Sequence, residues 1–143
     1  MKTEAQKLDK ILDKMCSEYI RRRAIERCGG CERCHRQKVD VVKENGDILP
    51  AWKQLDWAHF KSRKKKSVRW DEDNACALCM GCHIYLDSHP IEKVEFFKAR
   101  LTKERFDMLN SRARTQARYL DKEALMIYYK TKLKEVTSGK YSM

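Results

Sequence analysis

The sequence predicts an α+β fold that is mostly helical, with a small cysteine-rich core between an N-terminal helix and C-terminal helices. Two observations lead to this prediction. Apolar residues recur at helical spacing in both terminal segments, whereas residues 28–90 hold six of the seven cysteines, all four histidines and all three tryptophans. A chain of 143 residues suits one domain. We therefore expect a single domain over 1–143, made of an N-terminal amphipathic helix (1–27), a metal-bound core (28–90) and a C-terminal helical extension (91–143).

The N-terminal segment is predicted to be one amphipathic helix. Its apolar positions recur every three or four residues and would form one buried stripe, and Gly29-Gly30 would end the helix. The residues of the stripe are Leu8, Ile11, Leu12, Met15 and Tyr19.

The core is predicted to contain short strands. Val39, Val41 and Val42, followed by Asn45-Gly46 and Ile48, favour a hairpin with a tight turn. Two further segments, 55–60 and 75–78, are candidate strands, and a very basic loop lies between them. Beyond Pro90, three helices are expected around Phe97, around Phe106 with a start near Thr102, and around Tyr129, and the last residues, 138–143, are expected to fray.

The charge of the chain restricts its partners. The formal net charge is +11, which favours a polyanion such as nucleic acid, because basic groups that meet phosphates release counterions. We find neither an apolar segment that could span a bilayer nor a signal peptide, so we expect no membrane association and a reducing cytoplasm. In that compartment the cysteines are expected to bind metal rather than to form disulfides.

Two Cys-x-x-Cys motifs predict a zinc site. Cys31-Glu-Arg-Cys34 and Cys79-Met-Gly-Cys82 are turns that each direct two thiolates at one ion, and two such turns complete a tetrahedron. Earlier registers through Cys28 and Cys76 also exist. We choose the later pair in each run and expect Cys16, Cys28 and Cys76 to be small buried residues. Because this region has few aliphatic residues, we expect it to unfold when zinc is removed.

Histidines and an asparagine are interleaved with these motifs in a recognisable order. The segments are Asp56-Trp-Ala-His59-Phe-Lys-Ser-Arg63, then Val68-Arg-Trp-Asp-Glu-Asp-Asn74, then Ala77-Leu-Cys79-Met-Gly-Cys82-His83. This order resembles the HNH (ββα-metal, His-Me finger) endonucleases, and more closely the phage NinG (Rap) recombination endonucleases, over about residues 8 to 110.

The resemblance implies a zinc-stabilised ββα-metal core and a role for each residue. His59 would be the general base that activates water, since an imidazole titrates near neutral pH. His83 would bind a catalytic Mg²⁺ or Mn²⁺, and Asn74 would brace the loop that holds His59. Many HNH enzymes have a metal-binding residue before the base, but here that residue is Ala58. Asp56, Asp73 and His89 are therefore candidate additional ligands.

The resemblance implies a phage-encoded, metal-dependent DNA endonuclease in the bacterial cytoplasm, selective for branched recombination or replication intermediates. The loop after His59 would contact the DNA backbone without reading sequence, and the C-terminal helices carry further cations, among them Arg100, Arg105 and Arg112. A homodimer is one expectation for cutting two arms of a junction. Two alternatives stay open: a sequence-specific HNH homing, restriction or packaging nuclease, and a non-catalytic zinc module that binds nucleic acid. The candidate DNA-contacting loop residues are Lys61, Arg63, Lys64, Lys65, Lys66 and Arg69.

Overall fold

A computed structural model describes residues 1–138, and that part of the chain has the α+β, mostly helical fold that the sequence predicts. The predicted fraying of the last residues lies outside the described residues, apart from Ser138. The described part has five α-helices and two small antiparallel sheets. Their bounds are α1 Glu4–Cys28, β1 Val41–Val42, β2 Ile48–Leu49, β3 Asp56–His59, β4 Ala75–Leu78, α2 Met80–Ser88, α3 Pro90–Arg100, α4 Lys103–Ala113 and α5 Lys122–Thr137.

Local signals set both ends of α1. Thr3 and Gln6 form a reciprocal capping box at the N-terminus. Gly29 ends the helix with φ of +77°, a left-handed conformation that glycine adopts without steric cost. The predicted stripe is wrong at Ile11, which is 47% exposed. The buried stripe is rotated toward Leu12, Cys16, Tyr19, Ile20, Arg23 and Ala24.

The long helix α1 packs against α5 and against the core segment. Tyr19 and Tyr129 meet across the α1–α5 contact, with ring centroids 5.9 Å apart. Tyr129 donates a hydrogen bond to the carbonyl of Trp70, which is buried among the residues between β3 and β4. The two terminal helices therefore pack against each other and against the segment between β3 and β4. This arrangement depends on contacts between residues distant in sequence, and helical propensity alone would not produce it.

The first hairpin, β1–β2, forms as predicted around Asn45-Gly46. Val41 pairs with Leu49 and Val42 with Ile48, and Gly46 has φ of +89°, as a tight turn requires. The strands have two residues each, and Val42 and Ile48 are exposed. This hairpin therefore contributes little to the core.

The second hairpin, β3–β4, is the centre of the fold. Asp56 pairs with Leu78 at one end and His59 with Ala75 at the other. Because side chains alternate along a strand, Asp56 and Ala58 share one face of β3, whereas Trp57 and His59 share the opposite face. Helix α2 follows β4 after one residue, Cys79, which caps it through a hydrogen bond from the Cys82 N–H to the Cys79 Sγ.

The C-terminal helices begin at side-chain caps, Thr102 for α4 and Asp121 for α5. Phe97, Phe106 and Leu109 are buried, and Phe60 contacts the first two with ring centroids 5.2 and 5.4 Å away. In residues 1–138, no helix combines the length and apolar character that crossing a membrane would need.

Candidate functional site

Four cysteines converge into one cluster. The Sγ atoms of Cys31, Cys34, Cys79 and Cys82 all lie within 4.8 Å of one another. Such a thiol set could hold a metal ion such as zinc, whose structural sites are tetrahedral and rich in cysteine. The predicted later register of each motif is therefore the one that the fold brings together.

Backbone N–H groups and one arginine face the sulfur atoms. The N–H of Arg33 donates to Cys31 Sγ at 3.4 Å, and the Cys82 N–H donates to Cys79 Sγ at 3.5 Å. The guanidinium of Arg33 donates to Cys82 Sγ at 3.4 Å. Donors so placed would stabilise thiolates, the form of cysteine that binds metal.

Glu32 attaches the first cysteine turn to the rest of the fold. Its carboxylate accepts from the Ala77 N–H at 2.7 Å and from Arg100 of α3 at 2.9 Å, and its own N–H donates to the Ala77 carbonyl. These bonds join a turn near residue 32 to strand β4, so that the two cysteine pairs, far apart in sequence, face each other.

The remaining three cysteines stay outside the cluster, as predicted. Cys16 in α1 and Cys76 in β4 are fully buried, whereas Cys28 is only half-buried at the end of α1. Burial raises the pKa of the Cys16 thiol to about 12, so this group is an inert part of the core.

His83 lies between two carboxylates. Its Nδ1 is 2.9 Å from Asp56 Oδ2 of β3, and its Nε2 is 3.4 Å from Asp87 Oδ2, one turn later in α2. All three side chains are partly exposed. Imidazole and carboxylate are the donor types of many divalent-metal sites, and a carboxylate on the second ring nitrogen orients such an imidazole.

Of the candidate additional ligands, only Asp56 contacts His83. Asp73 is paired with Arg105 and Arg112, and the Nδ1 of His89 bonds to the Tyr85 carbonyl at 2.7 Å. Ala58 has no atom that could bind a metal. Asp56, two residues earlier on β3, lies on the same face of the strand and has a carboxylate.

His59 is buried at the end of β3. Its Nε2 is 3.0 Å from the carbonyl oxygen of Arg69, and a carbonyl only accepts, so Nε2 carries the proton and Nδ1 keeps a lone pair. Burial lowers the pKa of His59 to about 4, against a smaller opposing effect of the Arg69 hydrogen bond. The imidazole is therefore neutral at pH 7.

Asn74 holds the loop that contacts His59. Its side chain is fully buried. The amide oxygen accepts from the Lys61 N–H at 2.8 Å, and the amide nitrogen donates to the carbonyls of Lys61 and Val68 at 3.1 and 3.0 Å. Since Val68 precedes Arg69, these bonds fix the backbone that accepts from His59.

Two acids of α1 form ion pairs with three of the six predicted DNA-contacting residues. Asp13 accepts from Arg63 at 2.6 Å and from Arg69 at 2.9 and 2.5 Å. Asp9 pairs with Lys66 at 3.1 Å. In residues 1–138 the other three loop lysines form no ion pair and keep their charge for an external anion; they are Lys61, Lys64 and Lys65.

The cations predicted on the C-terminal helices are also largely paired. Arg100 bonds to Glu32, Arg105 to Asp73 and Arg112 to Asp71. These arginines tie α3 and α4 to the core segment, whereas Arg114 and Arg118 form no ion pair within residues 1–138.

The structure brings the predicted residues together in three groups, and the group of His83 lies apart from the group of His59. The cysteines form one cluster, His83 joins Asp56, and Asn74 joins the loop of His59. His83 meets β3 on the face of Asp56, whereas His59 packs on the opposite face beside Trp57, with ring centroids 4.2 Å apart. His83 therefore lies on one face of β3, and the ring of His59 lies on the other.

Sequence reasoning missed Asp13, Glu32 and Asp87. Asp13 and Glu32 act on partners more than 40 residues away, and no local pattern marks such pairs. His83 and Asp87 are four residues apart, which places them on one face of a helix. This spacing is the one sequence signal that could have predicted the contact between them.

No family model, no curated protein and no solved structure matches the chain. The site is therefore defined by its own geometry: a cluster of four cysteines that could hold a metal such as zinc, next to a histidine flanked by carboxylates.

Proposed function

We propose that the protein is a metal-dependent DNA endonuclease of the HNH (ββα-metal) type that hydrolyses phosphodiester bonds. The observation that carries the proposal is the order and placement of β3, β4 and α2. His59 ends the first strand, Asn74 directly precedes the second, and His83 lies in the first turn of the helix, beside the cysteine cluster. A hairpin followed by a helix, with these three residue types at these places, agrees with the sequence resemblance to HNH and NinG nucleases.

The cysteine cluster would have a structural role, with zinc as its ion. Four cysteine ligands leave no open position for a substrate, which is typical of structural zinc. Because Cys82 directly precedes His83 and Cys79 caps α2, an ion in the cluster would fix the start of this helix. The cluster would thus hold His83 against Asp56 without taking part in the chemistry.

His59 would act as the general base. A neutral imidazole with its proton on Nε2 has its Nδ1 lone pair available for a proton from water. The carbonyl of Arg69 would steady the imidazolium that forms, because it accepts from Nε2 in both states. A pKa near 4 makes free His59 a weak base, and a nearby phosphate anion would raise its basicity by favouring the cationic form.

His83 and Asp56 would hold the catalytic Mg²⁺ or Mn²⁺, with Asp87 as orienting partner. One ring nitrogen would bind the ion while the other stays bonded to a carboxylate. The ion would supply charge neutralisation at the phosphate and at the leaving oxygen. Asp56 would then take the place of the metal-binding residue that is absent at Ala58.

His59 and His83 lie on opposite faces of β3, which restricts where the scissile phosphodiester would lie. Strand β3 pairs with β4 along one edge only, so two side chains from opposite faces can meet a phosphodiester that runs along the other edge. Asp56 and His59 are three residues apart, which is about 10 Å along a strand. The proposal therefore requires the DNA backbone to follow β3.

DNA would be held through its backbone, by the unpaired loop lysines 61, 64 and 65, without sequence readout. This favours branched recombination or replication intermediates, chosen by shape, over one linear site. A sequence-specific HNH nuclease is the second candidate function, supported by the same hairpin and helix.

Removal of the general base tests the mechanism. We expect His59→Ala to lower metal-dependent nicking of supercoiled DNA by 100-fold or more, in the range for removal of a general base, with DNA binding retained. His89→Gln is the matched control, since this exposed histidine has no role in the proposal. Nicking by His59→Ala at the wild-type rate would reject His59 as the base.

The metal ligands and the substrate class are tested separately. Asp56→Asn should raise the Mn²⁺ concentration needed for half-maximal nicking far more than Asp107→Asn, which removes an exposed carboxylate elsewhere. Junction, flap and linear duplex of the same sequence are then compared side by side, and a preference for one linear site would reject the structure-selective proposal.

A further inference from the structure

Three cations gather around one tryptophan just before strand β3. The guanidinium carbons of Arg21 and Arg22 each lie 4.8 Å from the centroid of the Trp52 ring, and the Nζ of Lys53 lies 5.5 Å from it. Cations at such distances are attracted to the face of an indole. We call these four residues the Trp52 cluster.

Two hydrogen bonds hold the turn that carries Trp52 and Lys53. Trp52 and Lys53 lie in a short 3₁₀ turn, Ala51–Gln54. The N–H of Ala51 donates to Asp40 at 2.8 Å, and Gln54 donates to the Val39 carbonyl at 2.7 Å. These two bonds hold both ends of the turn, while Arg21 and Arg22 come from helix α1, so the cluster joins two elements of the fold.

The charge of the cluster is mostly uncompensated. Arg22 pairs with Glu18 at 2.9 Å, and Arg21 donates through Nε to the Ser17 carbonyl. In residues 1–138, Arg21 and Lys53 have no ion-pair partner, unlike Arg63 and Arg69 of the loop. Burial lowers the pKa of Arg21, and the charges of Glu18 and Asp56 partly oppose this effect.

The position of the cluster matches that of the basic loop. The turn leads into β3 at Asp56, and the loop leaves β3 after His59. Strand β3 therefore runs from one cationic surface to the other. A phosphate backbone that follows β3 would meet both.

We propose that the Trp52 cluster is a second binding site for the phosphodiester backbone of nucleic acid, on the Asp56 side of the scissile position. Arg21, Arg22 and Lys53 would contact phosphates, and Trp52 would be the positioning residue that gathers them. This inference rests on the proposed nuclease function, because it takes the backbone to run along β3.

The test measures DNA binding by the full-length protein in Ca²⁺ over a range of salt concentrations. We expect Arg21→Gln with Lys53→Gln to weaken binding about 10-fold or more, and to lower the salt slope by about 2, since each phosphate contact contributes about 0.9. The matched control, Lys98→Gln with Lys130→Gln, removes two exposed cations elsewhere. Equal losses for the two double variants would overturn the proposal.

A second variant separates position from charge. Trp52→Leu keeps all three cations but removes the ring that gathers them, and should weaken binding about 3-fold, with Trp52→Phe restoring most of the loss; this fits a cation–π contact of about 0.5–1 kcal/mol. Unchanged binding by Trp52→Leu would overturn the positioning role. Thermal unfolding checks that each variant is folded.

The outcomes for cluster and function are distinguishable. If wild-type protein nicks DNA and His59→Ala does not, the proposed function stands, and normal binding by the Arg21 and Lys53 variant rejects the cluster alone. If polyglutamate competes as well as DNA at equal charge, the cluster serves an acidic protein and the nucleic-acid assignment is rejected.

Discussion

The two ends of the β3–β4 hairpin are held by different chemistry. At the end where Asp56 pairs with Leu78, the four cysteines converge and His83 meets a carboxylate. At the end where His59 pairs with Ala75, the fully buried Asn74 makes three hydrogen bonds to loop backbone. One end of the hairpin thus has side chains that could bind a metal ion, whereas the other end is held by hydrogen bonds between protein groups.

The difference teaches two ways in which a small protein can hold histidines at the two ends of one hairpin, His59 on β3 itself and His83 on the helix that follows β4. An ion supplies binding energy that a small core lacks, but its effect is concentrated at its ligands. A buried amide supplies less energy and specifies several backbone atoms at once. Four measurements can separate the two ends, beginning with the largest expected effect.

Removal of metal should affect stability most. A strong chelator should lower the melting temperature by ten degrees or more or abolish cooperative unfolding, because structural zinc contributes about 10–16 kcal/mol of apparent binding energy. Differential scanning calorimetry measures the change, and chelator saturated with Zn²⁺ is the control. An unchanged melting temperature would mean that the cysteine end is stable without an ion.

Loss of the buried amide should come next. Asn74→Ala should lower the free energy of unfolding by about 3 kcal/mol, because three hydrogen bonds are lost at about 1 kcal/mol each. Urea unfolding measures this. The control is Asn110→Ala, which removes a single side-chain bond to the Phe106 carbonyl. Equal effects of the two substitutions would show that Asn74 stabilises the protein no more than a residue with a single side-chain hydrogen bond.

Acid should weaken the His59 end by a comparable or smaller amount. The pKa of His59 falls from an ordinary 6.5 to about 4 on folding, so between these values the unfolded chain binds the extra proton. The free energy of unfolding should therefore decrease as pH falls from 6.5 to 4, by up to about 3 kcal/mol. Urea unfolding at pH 7 and pH 4.5 measures it, and His59→Gln should lose less stability than wild type over this range.

The smallest effect concerns the attachment of the loop to α1. Burial alone would raise the pKa of Asp13, but hydrogen bonds from Arg69, Trp70 and Arg63 outweigh it and keep the pKa below its ordinary value. Asp13→Asn should cost about 2 kcal/mol, as for hydrogen bonds to a charged group. Asp107→Asn, at an exposed pair with Lys103, should change stability by less than about 1 kcal/mol. Similar losses would show that Asp13 is only a surface charge.

Local features of the fold were predictable from sequence. The Cys-x-x-Cys turns, the Asn45-Gly46 hairpin and the caps at Gly29 and Thr102 each depend on neighbouring residues, and all are present in the structure. The exposure of Ile11 was not predictable, because α5 decides which side of α1 is buried. Nor did the sequence of the basic loop reveal that Asp9 and Asp13 form ion pairs with three of its cations.

By itself, the sequence determined the pieces: which segments are helices, where two turns place their thiols, and which residue types accompany them. Backbone geometry and nearest neighbours suffice for these, since they act within a few residues. The tertiary structure decided which charges remain for a ligand. Ion pairs such as Asp13 with Arg69, and contacts such as His83 with Asp56, form between residues distant in sequence, and only the packing of helices and strands brings their atoms within a few ångströms.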